Sequence, residues 1–291
     1  MDVGVVGGGL AGLATASALH AAGHAVTVYE AAAQIGGRMG TVTMEDHPVD
    51  VGFHVLHTAY PALRRWVDLD ALDAVAMDPS TEVILPSQGK RLLLGDALRR
   101  PSTLLPTLRS VGPFNALRLL RWRQRARGRD IEAPLDRPSQ SIDAGFANQG
   151  FSKSLRQRVL QPLFAGITLD PERNEREAFA TFTWGAMAKG NMVMPKEGIV
   201  AVPRQLAARL PPSVLRTGAA VDAVDATGVT VEGTRHEHDK VVLAVPQHVA
   251  AELLNITTDP SERRTTTMVY ATDTAPLQAA RLLLNGEYDP A

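Results

Sequence analysis

Three glycines near the N-terminus, Gly7, Gly9 and Gly12, have the G-x-G-x-x-G spacing of a phosphate-binding turn. Each glycine has a separate task in such a turn. Gly7 permits the tight bend, Gly9 lets the backbone approach a pyrophosphate, and Gly12 lets a helix pack closely on a strand. The spacing therefore indicates a dinucleotide site, and the alternative is a glycine-rich turn in an ordinary α/β protein.

An acidic residue and a helix terminus complete this pattern. Glu30 ends the next predicted strand, where its carboxylate can accept hydrogen bonds from the hydroxyls of an adenosine ribose. A carboxylate at this position disfavours a 2′-phosphate, so NADP is not expected. The N–H groups of Leu10 and Ala11, at the start of the predicted helix, are expected to face the phosphates.

The elements that must position these residues form a β-α-β unit. An apolar strand over 2–7, a helix over 10–22 and a strand over 26–29 follow one another in about thirty residues, which is typical of a parallel sheet. The later segments alternate between helical and extended patterns. They predict a helix near 60–75, strands within 80–95, mainly helices over 97–190, a helix over 198–210, and strands near 214–217, 221–224, 228–232, 240–244, 266–272 and 280–285.

A second glycine pair follows the acidic residue. Gly36 and Gly37 precede Arg38, whose guanidinium can reach a pyrophosphate as a charge-assisted donor. The alternative for Arg38 is a solvated side chain on a surface turn. The first glycine motif does not separate FAD from NAD, whereas this second motif favours FAD.

Residues 3–41 resemble the FAD-binding N-terminus of the flavin-containing amine oxidase superfamily, and the segment 49–54 matches its Asp-x-Gly pattern. The resemblance implies that the backbone at Gly52, Phe53 and His54 passes the flavin. It also implies that the backbone of Val221 holds the adenine. The continuation over 54–61 is more similar to the phytoene-desaturase-like and protoporphyrinogen-oxidase-like members than to the amine oxidases.

Later stretches extend the resemblance over most of the chain. Residues 150–152 and 161–167 resemble the helical substrate domain, and 194–207 resembles the return to the FAD domain, with Glu197-Gly198 where the family has paired glycines. The expected fold is α/β, with a discontinuous Rossmann-like FAD-binding domain and an inserted substrate domain that is largely helical with a sheet. The expected segments are FAD-binding 1–85, helical substrate domain 86–192, FAD-binding return 193–258, and the start of a substrate-domain sheet 259–291.

The resemblance implies an FAD-dependent oxidoreductase that transfers a hydride from a hydrophobic small molecule to flavin N5. An isoprenoid, a porphyrinogen and an amine stay open as substrates. The family's C-terminal FAD segment is not found in the sequence, so a shortened, non-catalytic ADP- or FAD-binding fragment is an alternative expectation. An NAD-dependent dehydrogenase is the less favoured one.

No catalytic side chain is assigned from the sequence. His54 and His57 lie next to the expected flavin-facing segment. They either tune the flavin or act as an acid or base there or, as the favoured interpretation, satisfy backbone groups. Lys196 points either to the flavin or, as we favour, to water.

Composition excludes several other classes of function. The chain has 291 residues, a formal net charge of −1 and no cysteine, which excludes disulfides, thiolate metal sites and a cysteinyl-flavin link. The near-zero charge does not favour nucleic acid, and no metal site is expected. Neither a signal peptide nor a transmembrane run is predicted, so a cytoplasmic location is expected. The arginine-rich run 117–129 predicts either peripheral contact with an anionic membrane or a solvated helix face.

Overall fold

The structure is a computed structural model that describes residues 1–52, 54–128, 130–170, 175–258, 263–274, 277 and 279–287. The strands of these ranges are β1 (Asp2–Val6), β2 (Ala25–Glu30), β3 (Thr41–Met44), β4 (His47–Asp50), β5 (Leu56–His57), β6 (Ala74–Ala76), β7 (Ser80–Leu85), β8 (Lys90–Gly95), β9 (Met192–Pro195), β10 (Leu215–Thr217), β11 (Val221–Asp225), β12 (Gly228–Val231), β13 (Thr234–Glu237), β14 (Lys240–Leu243) and β15 (Leu282–Asn285). The helices are α1 (Leu10–Ala21), α2 (Pro61–Trp66), α3 (Leu104–Val111), α4 (Pro113–Ala126), α5 (Ile142–Asn148), α6 (Lys153–Leu155), α7 (Gln161–Thr168), α8 (Glu177–Lys189), α9 (Ala201–Ala207) and α10 (Gln247–Leu254).

A four-stranded parallel sheet carries the N-terminal motif. Its strand order is β10-β2-β1-β14, so the first β-α-β unit lies at its centre and residues more than two hundred positions later complete it. Val5 pairs with Val28 on one side and with Val242 on the other. Leu13 of α1 is fully buried against this sheet. The predicted Rossmann-like, discontinuous arrangement is confirmed.

A second unit combines helices with a three-stranded sheet of order β15-β7-β8. Its core is aromatic: Trp122 and Trp184 stack with ring centroids 4.6 Å apart, and Phe146 and Phe164 pack against Trp122. The predicted helical region with a sheet is therefore present. The expected boundary at residue 85 falls between the paired strands β7 and β8, and the division of the chain into four segments stays a prediction.

Some predicted elements differ from the observed ones. The helix expected near 60–75 is confined to α2 and a short 3₁₀ turn at Asp70–Leu72, because Val67 adopts extended backbone and Asp73 a left-handed conformation. No strand forms over 266–272, since the described residues there have no partner strand and a lone strand is not stable. Six observed strands were not predicted: β3, β4, β5, β6, β9 and β13.

Trp122, which lies within the arginine-rich run 117–129, does not belong to the exposed face of that run. Trp122 lies on α4 with only 2% of its surface exposed, inside the aromatic core. Arg123, its neighbour, is also buried, and its guanidinium donates to Asp96 Oδ2 at 2.6 Å. Arg118, Arg121 and Arg125 do share an exposed face of the helix, and Arg129 lies outside the described residues.

Candidate functional site

The turn between β1 and α1 accepts only glycine at two positions. Gly7 has φ +107°, and its N–H donates to the Tyr29 carbonyl at 2.8 Å. A Cβ on Gly7 would lie 2.6 Å from the carbonyl oxygen of Ala244, and a Cβ on Gly12 would lie 1.8 Å from the carbonyl oxygen of Gly7. Helix α1 thus packs directly on the turn that precedes it, as the motif predicts.

Gly9 differs from these two glycines because its open side faces no protein atom closely. It precedes α1 with extended backbone, and a Cβ placed on it would meet only the Cα of Gly37, at 4.0 Å. The first N–H groups of the helix, including those of Leu10 and Ala11, have no acceptor within the helix. The turn therefore offers a concave backbone surface with free donors to a phosphate group.

The Glu30 carboxylate lies at the end of β2 beside this turn. Its Oε2 accepts from the N–H of Gly8 at 2.6 Å, and its Oε1 accepts from the N–H of Ala32 at 2.8 Å. These two bonds fix the carboxylate while each oxygen keeps a further lone pair. The arrangement suits a carboxylate that accepts additional hydrogen bonds from sugar hydroxyls.

The Gly36-Gly37 pair packs against the first glycine motif. The Gly36 N–H donates to the Gly8 carbonyl at 2.9 Å. Gly37, with φ +54°, approaches so closely that an added Cβ would lie 3.3 Å from the Cα of Gly9. Arg38 follows, exposed, and has no ion pair with the part of the chain that the structure describes. The structure thus brings both glycine motifs and an unpaired cation to one edge of the sheet.

The Asp50-x-Gly52 segment lies next to this loop, because the Val51 N–H donates to the Gly40 carbonyl at 2.9 Å. Gly52 has φ +107°, a conformation that favours glycine. His54 Nε2 lies 3.1 Å from the Val51 carbonyl oxygen, in agreement with the favoured interpretation that this histidine satisfies a backbone group. Phe53 lies outside the described residues.

The side chain of Asp50 links this segment to the loop at Ile199, a role that the sequence did not predict. Its Oδ1 accepts from the Thr41 hydroxyl at 2.7 Å and from the Ile199 N–H at 2.8 Å, and Thr41 Oγ1 accepts from the Val200 N–H at 3.1 Å. Gly198 has φ +85° and leaves no room for a Cβ beside Thr41. The loop that returns to the FAD domain therefore requires glycine at position 198, and Gly198 supplies it.

Asp50→Ala is expected to lower the free energy of unfolding by roughly 3 kcal/mol, because it leaves the Thr41 hydroxyl and the buried Ile199 N–H without their charged acceptor. Asp50→Asn keeps a neutral acceptor and is expected to lose less than half as much. Urea unfolding followed by circular dichroism measures both. Equal losses for the two variants would contradict the account of a charged acceptor.

Two other predicted positions are also placed. Val221 begins β11 close to the end of β2, since the Ala219 N–H donates to the Glu30 carbonyl at 2.9 Å. Lys196 lies on the surface, where Nζ pairs with Asp73 at 2.8 Å, in agreement with the favoured interpretation that it does not point to the flavin.

His57 behaves differently from His54. It lies on β5 with 7% of its surface exposed, and its Nδ1 has no hydrogen-bond partner within the described ranges. Burial lowers the pKa of His57 to about 4. The imidazole is therefore neutral near pH 7 and carries an unused polar atom inside the protein.

His57 is expected to make the stability depend on pH. The unfolded chain binds a proton near the usual pKa of about 6.5, whereas the folded chain does so only near 4. The stabilisation is complete above the unfolded value and is lost as the pH falls toward the folded value, by about 3 kcal/mol in total. His57→Leu should remove this part of the slope in urea unfolding at several pH values; an unchanged slope would contradict the assignment.

Comparison with known proteins agrees with this geometry. The family model described as Flavin containing amine oxidoreductase matches residues 10–281. A zeta-carotene desaturase from Synechocystis sp. is 46% identical over 61 residues, which are 21% of this chain and 12% of the relative. A coproporphyrinogen III oxidase from Propionibacterium freudenreichii is 30% identical over 171 residues, which are 56% of this chain and 31% of the relative.

Solved structures share the fold. An oxidoreductase from Methanosarcina mazei superposes with a TM-score of 0.64 at 19% identity, covering 87% of this chain and 61% of that one. A putrescine oxidase bound to putrescine gives a TM-score of 0.60 at 21% identity, covering 89% and 60%. The chain thus spans about three fifths of these structures and less than a third of the two curated relatives. Among the described residues, no helix has both the length and the apolar character to cross a bilayer.

Proposed function

The chain belongs to the flavin containing amine oxidoreductase family, and from this premise we propose that it binds FAD and serves an oxidoreductase reaction on a hydrophobic small molecule. The observation that carries the proposal is the open backbone surface at Gly9 beside the two glycine motifs. An added Cβ there would meet no protein atom nearer than 4.0 Å, so this side of the turn is open to the approach of a ligand.

Each residue of the site has a proposed contact. The helix N-terminus at Gly9, Leu10 and Ala11 would hold the pyrophosphate, and the Glu30 carboxylate would accept the ribose hydroxyls. Arg38 would place its positive charge on the pyrophosphate. The remaining glycines, Gly7, Gly12, Gly36 and Gly37, allow the close backbone packing that these contacts require.

The later cofactor contacts rest on family resemblance together with position. The backbone of Val221 would lie against the adenine, which fits its location near the end of β2. The backbone at Gly52, Phe53 and His54 would line the flavin. When bound, the flavin accepts a hydride at N5. The chain's own task is to orient the substrate and exclude water, and no side chain is assigned as catalytic.

The substrate is proposed only as a class. The matched relatives are named for a carotene, a porphyrinogen and L-amino acids, and the chain spans a minor part of each. An isoprenoid, a porphyrinogen and an amine are therefore the three candidates. Since a hydrophobic substrate partitions into lipid, peripheral membrane contact through residues 117–129 is part of the proposal.

Anaerobic mixing of the FAD-loaded chain with one compound of each class tests the reaction. Bleaching of the flavin absorbance by one class supports the proposal and selects the substrate. Retained FAD that no compound bleaches would favour the non-catalytic FAD-binding fragment. Retention of NAD in place of FAD would favour a dehydrogenase.

Arg38→Ala is expected to weaken FAD binding about tenfold or more, because a charge-assisted hydrogen bond contributes roughly 1.5–3 kcal/mol. Arg209→Ala, which changes an exposed arginine that is not part of the proposed site, is expected to leave the affinity unchanged. Titration of FAD by the quenching of its fluorescence measures both. Equal affinities for wild type and Arg38→Ala would place the guanidinium outside the site.

A further inference from the structure

Two consecutive helices expose an unusual number of large apolar side chains. Helices α3 and α4 are separated only by Gly112. Leu104 and Leu105 of α3 are 52% and 53% exposed, and Phe114 and Leu117 of α4 are 77% and 44% exposed. We call this surface, together with the arginines described next, the α3–α4 face. An apolar surface of this kind marks a contact site more often than a scattered exposed leucine does.

The outward leucines of α3 follow from what its inner side does. The Thr107 hydroxyl accepts from the Gly95 N–H at 3.0 Å, and the Ser110 hydroxyl accepts from the Leu93 N–H at 3.2 Å and donates to the Leu93 carbonyl at 3.1 Å. These hydroxyls cap the open edge of β8. The inner side of the helix therefore combines these hydroxyls with Val111, which packs on the core, and Leu104 and Leu105 are left exposed.

Helix α4 interleaves apolar and basic residues on its exposed side. Five residues follow the i, i+3, i+4, i+7, i+11 spacing of one helix face and all are exposed: Phe114, Leu117, Arg118, Arg121 and Arg125. The adjacent, inner side of the helix holds Trp122, Arg123 and Ala126, which are buried.

The charge of this region is strongly one-sided. Residues 97–129 contain nine arginines and neither lysine nor an acidic residue, in a chain whose formal net charge is −1. Some of these arginines are paired, as Arg123 is with Asp96. The exposed ones have no carboxylate partner among the residues that the structure describes; they are Arg109, Arg118, Arg121, Arg125 and Arg127.

We propose that the α3–α4 face docks on an anionic lipid bilayer, with Phe114 and the leucines at the acyl boundary and the arginines at the headgroups. Interleaved arginine and apolar residues suit a surface that presents negative charge and hydrocarbon at nearly the same depth. A second copy of the chain fits less well, because a two-fold interface through this face would set arginines against arginines. The inference deepens the membrane contact in the proposed function and extends it to α3.

Flotation with vesicles tests the proposal, using the full chain with and without FAD. We expect binding to vesicles of phosphatidylcholine and phosphatidylglycerol in equal amounts, weak binding to phosphatidylcholine alone, and loss of binding at high salt. Arg121→Glu should weaken binding at least about fivefold, and Phe114→Ser about tenfold. The control variants Arg209→Glu and Leu254→Ser change exposed residues outside α3 and α4 and should bind as wild type does.

Three results would overturn the proposal. The first is no binding to anionic vesicles by the folded chain. The second is binding that the control variants weaken as much as the α3–α4 variants do. The third is a dimer, seen by light scattering, that Phe114→Ser dissolves while vesicles are not bound, since a second copy would then occupy the face. Because the assay needs no flavin, failure here and failure to bind FAD are separate outcomes.

Discussion

Gly12→Ala is expected to lower the free energy of unfolding by roughly 3 kcal/mol or more and to abolish FAD retention. The added Cβ would lie 1.8 Å from the Gly7 carbonyl oxygen. That oxygen belongs to the backbone of a turn, so no rotation of a side chain relieves the contact. Helix α1 must move away from β1, which also displaces the helix N–H groups from the pyrophosphate position.

The matched control is another helical glycine. Gly166 lies in α7, and a Cβ placed there would meet no atom within 4 Å. Gly166→Ala should leave stability unchanged or raise it by up to about 1 kcal/mol, as alanine favours helix. Thermal and urea unfolding of the two variants gives the comparison. A Gly12→Ala protein as stable as wild type would show that the helix and the turn are not in the contact described.

Gly9→Ala is expected to have a different effect. Its free energy of unfolding should equal that of the wild type, whereas its FAD affinity should be lowered roughly a hundredfold, equivalent to about 2.7 kcal/mol. The backbone at Gly9 has φ −77°, which alanine adopts freely, and the added methyl group would meet only the Cα of Gly37, at 4.0 Å. The methyl group would therefore occupy the open side of the turn, where the pyrophosphate is proposed to approach.

Unfolding and FAD titration on the same samples separate these two glycines. Gly12→Ala should fail in both measurements, Gly9→Ala only in binding, and Gly166→Ala in neither. Full FAD affinity in Gly9→Ala would move the phosphate site away from this turn. A large loss of stability in Gly9→Ala would mean that the open side of the turn is filled in the native fold.

The part of the fold that forms the proposed FAD site could be predicted from residues that are close in the sequence. The first strand, its turn and the helix are adjacent in the chain, so glycine spacing and the acidic residue at Glu30 suffice to place them. Arg38 lies only a few residues further. The strand over 240–244 was also predicted, since an apolar run of this length is typical of a strand in a parallel sheet, whereas its pairing with β1 was not.

Other features depend on partners that are distant in the chain. Asp50 holds the Ile199 N–H, and nothing in the residues around either one predicts that contact. The exposure of Leu104 and Leu105 accompanies hydroxyls of α3 that bond to the edge strand β8, a contact that the residues around α3 do not predict. The burial of Trp122 depends in the same way on distant residues, because its aromatic partners lie on α5, α7 and α8.

The most direct test of the central claim is an absorbance spectrum of the purified chain after incubation with FAD and desalting. We expect flavin bands in the wild-type protein and in Gly166→Ala, and no flavin bands in Gly9→Ala. When NAD replaces FAD, we expect that no nucleotide is retained. A folded wild-type chain that is colourless after desalting would contradict the proposed FAD site. Equal flavin retention by the wild type and by Gly9→Ala would contradict it as well.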